Sequence, residues 1–349
     1  MKNKVTVLTL VYNGMPYLKD AIESTLNQTY KNFDYLIIDD LSTDESVACI
    51  KSYNDHRIKF IQNEKNLNTS DSFNKALSLI NTEYIIRLDQ DDISDINRIH
   101  KQIEFLESNK DISIISSWEK FIDKDGKFIM NFRGKIKNYG DFIAPILLGI
   151  CPIWHPSIAF RKDDMIKIGG FDSKYARAED FDVTSRFALN RFNASIIPEY
   201  LLSYRKHEAS QSSLFDTKQI MVSNQIQLNA LNYFIKDENI FLLQNFLLLN
   251  DVSNKSVLNK TNLIKIKILL NNLFLAIYDK QNLSSSEFKT LKYKIFARVG
   301  YGIKYIKFYS FCNEKIFMLI FYLLSPQQTK LKIFIKKIFY KFKKIQKNI

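Results

Sequence analysis

The first half of the chain alternates between two patterns of hydrophobic residues. Runs of apolar, β-branched residues are typical of buried strands, whereas apolar residues that recur every three or four positions are typical of helices. Strand-like runs occupy residues 5–13, 33–40, 57–63, 83–92 and 112–118, and helix-like segments occupy residues 17–28, 42–53, 70–80 and 96–109. Ser42 followed by Glu45 predicts a capping box at the start of the second helix. Strands separated by helices predict parallel pairing, in an α/β sheet with helices on both faces.

Three of the strand-like runs end in polar or acidic turns, at residues 12–14, 39–40 and 89–92. In sheets of this class, ligands bind beyond the carboxyl ends of the strands. The sequence has neither the glycine-rich fingerprint of dinucleotide-binding sites nor the lysine-bearing loop of P-loop proteins. The pattern therefore predicts a ligand site at this edge of the sheet, and it argues against nicotinamide chemistry and Walker-type ATP chemistry.

The hydrophobic pattern changes near residue 215. Long segments with helical spacing, rich in leucine, isoleucine, asparagine and lysine, replace the alternation. We expect one domain over residues 1–215, a helical region over 216–325 and a basic amphipathic helix over 326–349. The apolar run at 316–324 is too short to span a bilayer.

The net charge of +13 is concentrated at the carboxyl-terminal end. Residues 292–349 contain thirteen lysines and one arginine but a single acid, Glu314. When residues 326–349 are plotted at about 100° per residue, all eight lysines lie opposite a face of phenylalanine, isoleucine and leucine. This arrangement favours a helix lying on an anionic membrane surface. A terminal helix docked on the body of the protein is the alternative. Nucleic acid is not an expected partner, because the basic face has few aromatic residues for stacking.

The cysteines indicate a reducing environment. Cys49, Cys151 and Cys312 lie far apart and in no metal-binding spacing. Without a disulfide framework, we expect a cytoplasmic location. The amino-terminal run at 1–13 has no small-residue cleavage site, and we expect it to form a strand rather than a signal peptide.

Five blocks of the chain are informative together: residues 5–13, 24–46, 74–92, 155–183 and 204–207. In this order and with ordinary spacing, they resemble the family 2 glycosyltransferases of the GT-A fold. The likeness is to inverting enzymes of bacterial cell-surface polysaccharide assembly, and it spans residues 4–210. It implies a Rossmann-like, nucleotide-binding mixed sheet flanked by helices, here followed by a helical carboxyl-terminal region. Residues 1–215 would then form the nucleotide-sugar-binding and catalytic domain.

Asp89, Asp91 and Asp92 lie within four positions at the end of one predicted strand. A Mg²⁺ or Mn²⁺ ion would relieve their mutual repulsion, because hard divalent cations prefer oxygen ligands. Such an ion also neutralises the charge that develops when a diphosphate leaves a nucleotide-sugar. The resemblance implies a DxD-type motif, with Asp89 near the donor ribose and Asp91 on the metal. The alternative is an acidic turn that caps the next helix, through Asp92 or through Ser94 and Asp95.

The resemblance also implies the residues that bind the nucleotide. Asp40 would accept a hydrogen bond from the N3–H of uracil, which favours a UDP-sugar as the donor. Val11, Tyr12 and Asn13 would border the nucleotide through backbone contacts. The alternative for Asp40, an acid that stabilises the start of a helix, fits Asp44 better.

An inverting transfer needs a base that takes the proton of the acceptor hydroxyl. Three acids, Glu179, Asp180 and Asp182, lie close together in the fourth block. The resemblance places the base at Asp180. The alternative is a surface helix that begins with acids in its first turn. Because the other four blocks also resemble the family, we favour the base.

Four further residues are candidates for the site. His207 would approach the metal or the diphosphate, although a lone histidine is usually structural. Trp154, His155 and Glu179 would contact the acceptor. Core packing for Trp154 and a structural role for His155 are the alternatives.

The chain also departs from the family pattern. Leu41 stands where a glycine often follows the paired aspartates, and Asn68 and Phe73 replace a frequent glycine and arginine.

Arg161 and Arg205 could neutralise phosphate, with packing roles as the alternative. The Gln-x-x-Arg-Trp motif of processive synthases is absent from the sequence, which predicts that one sugar is added per encounter.

We therefore expect a non-processive, inverting glycosyltransferase that depends on Mn²⁺ or Mg²⁺. It would move one hexose or N-acetylhexosamine from a UDP-sugar to a lipid-linked glycan in capsule or O-antigen assembly. It would be peripheral on the inner face of the cell membrane. One alternative is a sugar nucleotidyltransferase, which usually has a glycine-rich, basic amino-terminal loop that residues 11–18 match poorly. The other is a non-catalytic membrane-associated assembly protein that keeps the fold.

Overall fold

The protein is described by a computed structural model over residues 3–208, 217–248 and 260–305. Within these ranges the strands are β1 (Val5–Val11), β2 (Phe33–Asp39), β3 (Ile58–Gln62), β4 (Tyr84–Arg87), β5 (Ile93–Ser94), β6 (Ile112–Ile122), β7 (Phe128–Phe132), β8 (Ala159–Arg161) and β9 (Asn193–Arg205). The helices are α1 (Leu18–Leu26), α2 (Ser46–Lys51), α3 (Asn68–Leu79), α4 (Arg98–Ser108), α5 (Tyr139–Leu147), α6 (Lys162–Lys167), α7 (Glu179–Leu189), α8 (Thr217–Phe234), α9 (Ile240–Leu248), α10 (Lys260–Lys280) and α11 (Ser285–Tyr305). The alternation predicted for the first half of the chain is confirmed.

The strands of the described ranges form one mixed sheet in the order β3-β2-β1-β4-β8-β6-β9-β5, with β7 paired to β6. The predicted parallel pairing is confirmed for β3, β2, β1 and β4. β6 does not pair with β4, because β8 lies between them and is antiparallel to both, but β6 runs in the same direction as β4 and pairs in parallel with β9. β8 has only three residues, and a strand that short has no periodic pattern by which the sequence could announce it.

Hydrophobic clusters cover both faces of the sheet, as predicted. Side chains alternate between the faces along a strand. In β1, Val5, Val7 and Val11 therefore pack in the cluster that includes α1 and α4, whereas Leu8 packs in the cluster that includes α3 and α5. All four side chains are buried. This central strand is held from both sides, which fixes the position of the loop that follows it.

The helices α8 to α11 pack on the side of the sheet that carries α5 and α7. Their buried leucines, isoleucines and phenylalanines belong to the same hydrophobic cluster as α5 and α7. Gly140 in α5 allows a close approach, since a Cβ at this position would lie 2.3 Å from the carbonyl oxygen of Glu287 in α11. The predicted boundary near residue 215 lies outside the described residues, as do the apolar run at 316–324 and the amphipathic helix at 326–349. The division into domains stays a prediction.

Two local expectations are resolved by the backbone. The predicted capping box is wrong, because α2 begins at Ser46 and the hydroxyl of Ser42 instead accepts the backbone N–H of Asn13. None of the helices in the described part of the chain is both long enough and apolar enough to cross a membrane.

Candidate active site

The loops after β1, β2 and β4 lie side by side, because these strands are parallel neighbours. Gln90 connects two of these loops. Its Oε1 accepts the backbone N–H of Tyr12 at 2.8 Å, and its Nε2 donates to the Tyr12 carbonyl at 3.1 Å. Both backbone groups of Tyr12 are therefore paired within the protein, whereas its side chain is half exposed (50%). The side chain of Tyr12 is thus the part of this residue that is open to a ligand.

Asn13 connects the loop after β1 to the loop after β2. Its N–H donates to the Ser42 hydroxyl at 2.9 Å, and its Oδ1 accepts the N–H of Thr43 at 2.8 Å. Asn13 has φ of 50°, a left-handed conformation that asparagine adopts more readily than most residues. The carbonyl of Val11, a buried residue, accepts the N–H of Asp40 at 2.7 Å. The first loop thus lies at the predicted edge of the sheet, and its contacts with a nucleotide stay a prediction.

Asp40 is buried and holds the loop between β3 and α3. Its Oδ1 accepts hydrogen bonds from the Asn63 side chain (2.7 Å), the Leu67 N–H (2.8 Å) and the Ser72 hydroxyl (3.1 Å). Its Oδ2 accepts the N–H of Asn68 at 3.0 Å. Because a carboxylate oxygen accepts about two hydrogen bonds, only Oδ2 has capacity for a further donor. The hydrogen bond predicted from uracil would therefore fall on Oδ2.

Asp89 is paired with Arg87, the last residue of β4. Nε of Arg87 donates to Oδ1 of Asp89 at 2.6 Å, and Nη1 of Arg87 lies 2.7 Å from Nε2 of His155. Burial and the positive charge of Arg87 hold the pKa of His155 well below its ordinary value. The imidazole of His155 is therefore neutral and accepts from the guanidinium. Arg87 therefore contacts both Asp89, which is predicted to lie near the donor, and His155, which is predicted to contact the acceptor.

Asp91 is paired with His207. Its Oδ2 lies 2.8 Å from Nε2 of His207, although the two residues are far apart in the sequence. The ring of Tyr17 packs against the imidazole, with 4.7 Å between ring centroids. Burial and the neighbouring Asp89 raise the pKa of Asp91, and the interaction with His207 opposes this rise. The two residues predicted to bind metal are thus brought together by the fold.

Asp92 does not cap a helix, which corrects one of the alternatives. It is fully buried, and its Oδ1 accepts the backbone N–H of Arg205 in β9 at 2.9 Å. Burial, with the charges of Asp91 and Asp89, raises the pKa of Asp92 well above its ordinary value. Asp95 instead forms the turn that precedes α4, since its Oδ1 accepts the N–H of Asn97 at 3.0 Å. Asp92 therefore anchors the acidic loop to the sheet.

The two arginines considered for phosphate binding have packing roles. Arg205 is 3% exposed, and its guanidinium donates to the carbonyl of Asp91 at 2.9 Å and to the carboxylate of Asp20 at 2.8 Å. Arg161 donates to the carbonyl of Ile112 at 2.9 Å. These contacts favour the packing alternative for both residues.

Asp180 lies at the start of α7 and keeps part of its surface accessible. Burial and the charge of Glu179 raise the pKa of Asp180 to about 6, whereas the N–H of Phe181 and the charge of Arg87 lower it. The charge of Arg87 therefore acts on Asp180, whereas its guanidinium contacts Asp89 directly. Glu179 itself is 8% exposed, so little of its surface is available to an acceptor.

Trp154 belongs to an aromatic cluster beside the site. Its ring lies 4.4 Å from that of Phe132, 5.4 Å from that of Phe121 and 6.2 Å from that of Tyr204, measured between centroids. These contacts support the packing alternative. Trp154 remains partly exposed, and its contact with an acceptor sugar stays a prediction.

Comparison with known proteins identifies the family. Residues 6–169 match the family described as Glycosyl transferase family 2. An uncharacterized glycosyltransferase of Methanocaldococcus jannaschii, MJ1057, is 36% identical over 211 residues, which are 58% of this chain and 71% of that protein. The chain is a family 2 glycosyltransferase. The glycosyltransferase is also 32% identical over 208 residues to EpsE of Bacillus subtilis, covering 58% of this chain and 73% of that protein.

Solved structures share the fold of the glycosyltransferase. The structure of S. aureus TarS 1-349 superposes with a TM-score of 0.55 at 16% identity, covering 89% of this chain and 93% of that chain. The mannosyltransferase PcManGT of Pyrobaculum calidifontis superposes with a TM-score of 0.51 at 14% identity, covering 87% and 88% of the two chains. These likenesses concern the fold, which is GT-A, as the sequence implied.

Asp91 and His207 would hold a divalent cation if one is bound here. Asp91 Oδ2 and His207 Nε2 lie 2.8 Å apart, and a carboxylate oxygen and an imidazole nitrogen are both common metal ligands. The described part of the chain has no group of three or more histidine, cysteine or acidic side chains that could hold a metal. Mg²⁺ bound with a nucleotide often uses only one or two carboxylates, with phosphate oxygens and water as further ligands. The pair therefore fits an ion held jointly with a diphosphate.

Three residues that organise the site of this glycosyltransferase were not predicted: Arg87, Gln90 and Arg98. Arg98 is fully buried in α4, and its Nη2 donates to the carbonyls of Arg87 at 2.5 Å and Pro156 at 3.1 Å. A signal existed for two of them. Arg87 is a charge inside an apolar strand-like run, and Arg98 lies with Gln102 on the apolar face of an amphipathic helix. A charged residue on a buried face usually has a partner.

Proposed function

We propose that this enzyme transfers one hexose or N-acetylhexosamine from a UDP-sugar to an acceptor hydroxyl with inversion at the anomeric carbon. The observation that carries the proposal is the family assignment together with the pairing of Asp89 with Arg87 at 2.6 Å. The positive charge of Arg87 also lowers the pKa of Asp180, so it acts on both the carboxylate assigned to the donor and the carboxylate assigned to the base. A transferase needs both carboxylates in one site, because donor and acceptor must meet at one carbon.

The proton transfer is assigned to Asp180. Its carboxylate takes the proton of the acceptor hydroxyl as the oxygen forms a bond to the anomeric carbon, and the bond from that carbon to the diphosphate oxygen breaks. The nucleoside diphosphate leaves with the electron pair of the broken bond. With a pKa of about 6, Asp180 is ionised at neutral pH and yet basic enough to accept a proton.

A divalent cation, Mn²⁺ or Mg²⁺, is part of the proposal. Asp91 and His207 would hold it, together with oxygens of the diphosphate. When bound, such an ion neutralises the negative charge that develops on the leaving diphosphate. Asp89 would orient the ribose, and its pairing with Arg87 fixes the carboxylate for that contact.

The donor is proposed as a UDP-sugar because Asp40 retains one acceptor position, which suits the N3–H of uracil. TarS has been crystallised in complex with UDP-GlcNAc, which supports a uridine nucleotide. PcManGT was crystallised with GDP-Man and Mn²⁺, so a GDP-sugar is the second candidate donor. The family assignment argues against the sugar nucleotidyltransferase considered from the sequence.

The acceptor is proposed to be a lipid-linked glycan, in capsule or O-antigen assembly on the inner face of the cell membrane. The support is the sequence of residues 326–349, with eight lysines opposite an apolar face and no acid. Truncation after Ser325 is expected to weaken binding to anionic vesicles. Unchanged vesicle binding would contradict the membrane role of this segment.

A screen of UDP- and GDP-sugars tests the proposed function. Release of the nucleoside diphosphate is measured with Mn²⁺, with Mg²⁺ and with a chelator, in the presence of acceptor lipid extract. Metal-dependent consumption of one UDP-sugar is expected. Binding of donors without turnover of any of them would favour the non-catalytic assembly protein instead.

A further inference from the structure

The hairpin formed by β6 and β7 exposes three consecutive large apolar residues immediately after its turn, at the start of β7. Phe128 is 61% exposed, and Ile129 and Met130 are each 47% exposed. Successive side chains of a strand point to opposite faces. Because neighbours on both faces are exposed, this part of β7 projects from the body of the protein. We call residues 128–130 the hairpin tip.

Basic residues flank the hairpin tip on both sides in the sequence. Between residues 120 and 137 the exposed cations are Lys120, Lys124, Lys127, Arg133, Lys135 and Lys137. The same segment has two acids outside the buried core, Asp123 and Asp125, so the cations exceed them by four. Asp123 is committed to the turn, since its Oδ1 accepts the N–H groups of Asp125 and Lys127 at 2.9 Å each. An exposed apolar segment flanked by exposed cations matches the surface of an anionic bilayer.

Aromatic residues at the base of the hairpin fit the same partner. The guanidinium of Arg133 lies over the ring of Trp118, 5.0 Å from its centroid, and 5.5 Å from the centroid of Tyr200. Lys120 also lies over the ring of Tyr200, 5.9 Å from its centroid. Trp118 and Tyr200 are both partly exposed. Tryptophan and tyrosine next to cations are typical of the zone where lipid headgroups meet acyl chains.

The hairpin is fixed relative to the candidate active site. Its turn contains Gly126 with φ of 81°, a conformation that favours glycine. Nη1 of Arg205, the arginine that holds the acidic loop, donates to the carbonyl of Lys124 in this turn at 3.2 Å. At the other end of β7, the ring of Phe132 packs on Trp154. A surface that holds the hairpin would therefore also orient the site.

We propose that the hairpin tip inserts into the surface of an anionic bilayer, with Lys120, Lys124, Lys127 and Arg133 on the headgroups. This contact is separate from residues 326–349 and independent of the donor and the acceptor. It goes beyond the proposed function by assigning a membrane-binding surface to the catalytic part of the chain. Its role is to present Asp91, at the edge of the sheet, and Asp180, at the start of α7, towards the membrane.

Fluorescence quenching tests the insertion directly in the full chain. Phe128→Trp places a reporter in the hairpin tip, and Leu79→Trp places one at the end of α3, where the native side chain is 45% exposed. Leu79 precedes the start of β4 and therefore lies at the edge of the sheet opposite the site. Vesicles of phosphatidylglycerol and phosphatidylcholine with brominated acyl chains are added to each variant, and the emission of the wild type, with Trp118 and Trp154, is subtracted.

The bromines are expected to quench the tryptophan of Phe128→Trp and to leave that of Leu79→Trp unquenched. Equal quenching of the two reporters, or none at residue 128, would overturn the proposal.

Loss of apolar area gives a second test. Phe128→Ser with Met130→Ser is expected to lower partitioning onto the same vesicles by about tenfold, whereas Leu79→Ser leaves it unchanged. Capture of a protein partner by the hairpin without quenching would overturn the choice of a lipid surface. Sugar transfer is not a readout here, so failure of this proposal is distinguishable from failure of the proposed function.

Discussion

Replacing Arg87 by methionine is expected to move the acidic limb of the pH profile to higher pH. Arg87 is the nearby cation that lowers the pKa of Asp180, against burial and Glu179, which raise it. Methionine keeps much of the side-chain volume and removes the charge. Without Arg87 the neutral carboxylic acid is favoured, so the base becomes ionised only at higher pH.

The magnitude follows from the pKa of about 6 for Asp180 in the presence of Arg87. An opposite charge in direct contact usually lowers the pKa of a carboxylate by about 1 to 3. A shift of about half the lower figure is expected here, because Arg87 pairs with Asp89 and its effect on Asp180 is smaller than those of burial, Glu179 and the N–H of Phe181. The limb is therefore expected to move from near pH 6 to about pH 6.5. At pH 7 the ionised fraction of the base would fall from about nine-tenths to about three-quarters.

The assay is kcat/KM for sugar transfer between pH 5 and pH 9, a range of about four units around the pKa values concerned. Arg87→Lys keeps the charge and is expected to keep the limb near pH 6, even if the rate falls because the contact with Asp89 is altered. Arg57→Met is the matched control. Arg57 is also largely buried and paired with an acid, Asp55, but it precedes β3 at the opposite edge of the sheet. An unmoved limb in Arg87→Met, or equal movement in Arg87→Lys, would refute the reasoning.

Three further predictions concern the metal and the buried charges. Asp91→Asn and His207→Gln are each expected to weaken Mn²⁺-dependent UDP binding at least about tenfold, measured by calorimetry. An equal loss of UDP binding with chelator present would argue against a metal role. Arg98→Met is expected to lower the free energy of unfolding by about 3 kcal/mol in urea, because buried carbonyls lose their donor, and a loss within the range of surface substitutions would contradict this. Burial raises the pKa of Glu119 to about 7 from an ordinary value of 4.5, so the folded state holds its proton more tightly, and stability falls as pH rises from about 4.5 to 7. Glu119→Gln is expected to remove about 3 kcal/mol of this pH dependence; an identical dependence in wild type and variant would count against it.

The sequence predicted the parts of the fold that depend on regular periodicity. β1, β2 and β4 are apolar runs long enough to be recognised, and their parallel order places the loops at Tyr12, Asp40 and Asp89 on one edge. The pair of Asp91 with His207 was also anticipated, through the resemblance to a family. Periodicity alone gives no distance between two residues so far apart along the chain.

The expectations that were wrong and the role that was missed depend on contacts distant in the sequence. Ser42 has the spacing of a helix-capping residue, but its hydroxyl accepts the N–H of Asn13 from another loop instead. The position of Asp92 suggests an acid at the start of a helix, but its carboxylate accepts the N–H of Arg205 in β9. The role of Arg87 depends on His155, which arrives with the short strand β8. In each case the partner is chosen by tertiary packing rather than by local spacing.

Sugar transfer by Asp180→Asn tests the central claim most directly. The variant replaces the base by an amide of the same shape, with Asp163→Asn on the neighbouring helix α6 as the matched control. Transfer from the UDP-sugar found in the screen is measured in single turnover, alongside binding of UDP with Mn²⁺. We expect Asp180→Asn to bind UDP as the wild type does and to transfer sugar at least about 100-fold more slowly, while Asp163→Asn transfers normally. Transfer by Asp180→Asn at close to the wild-type rate would contradict the assignment of the base.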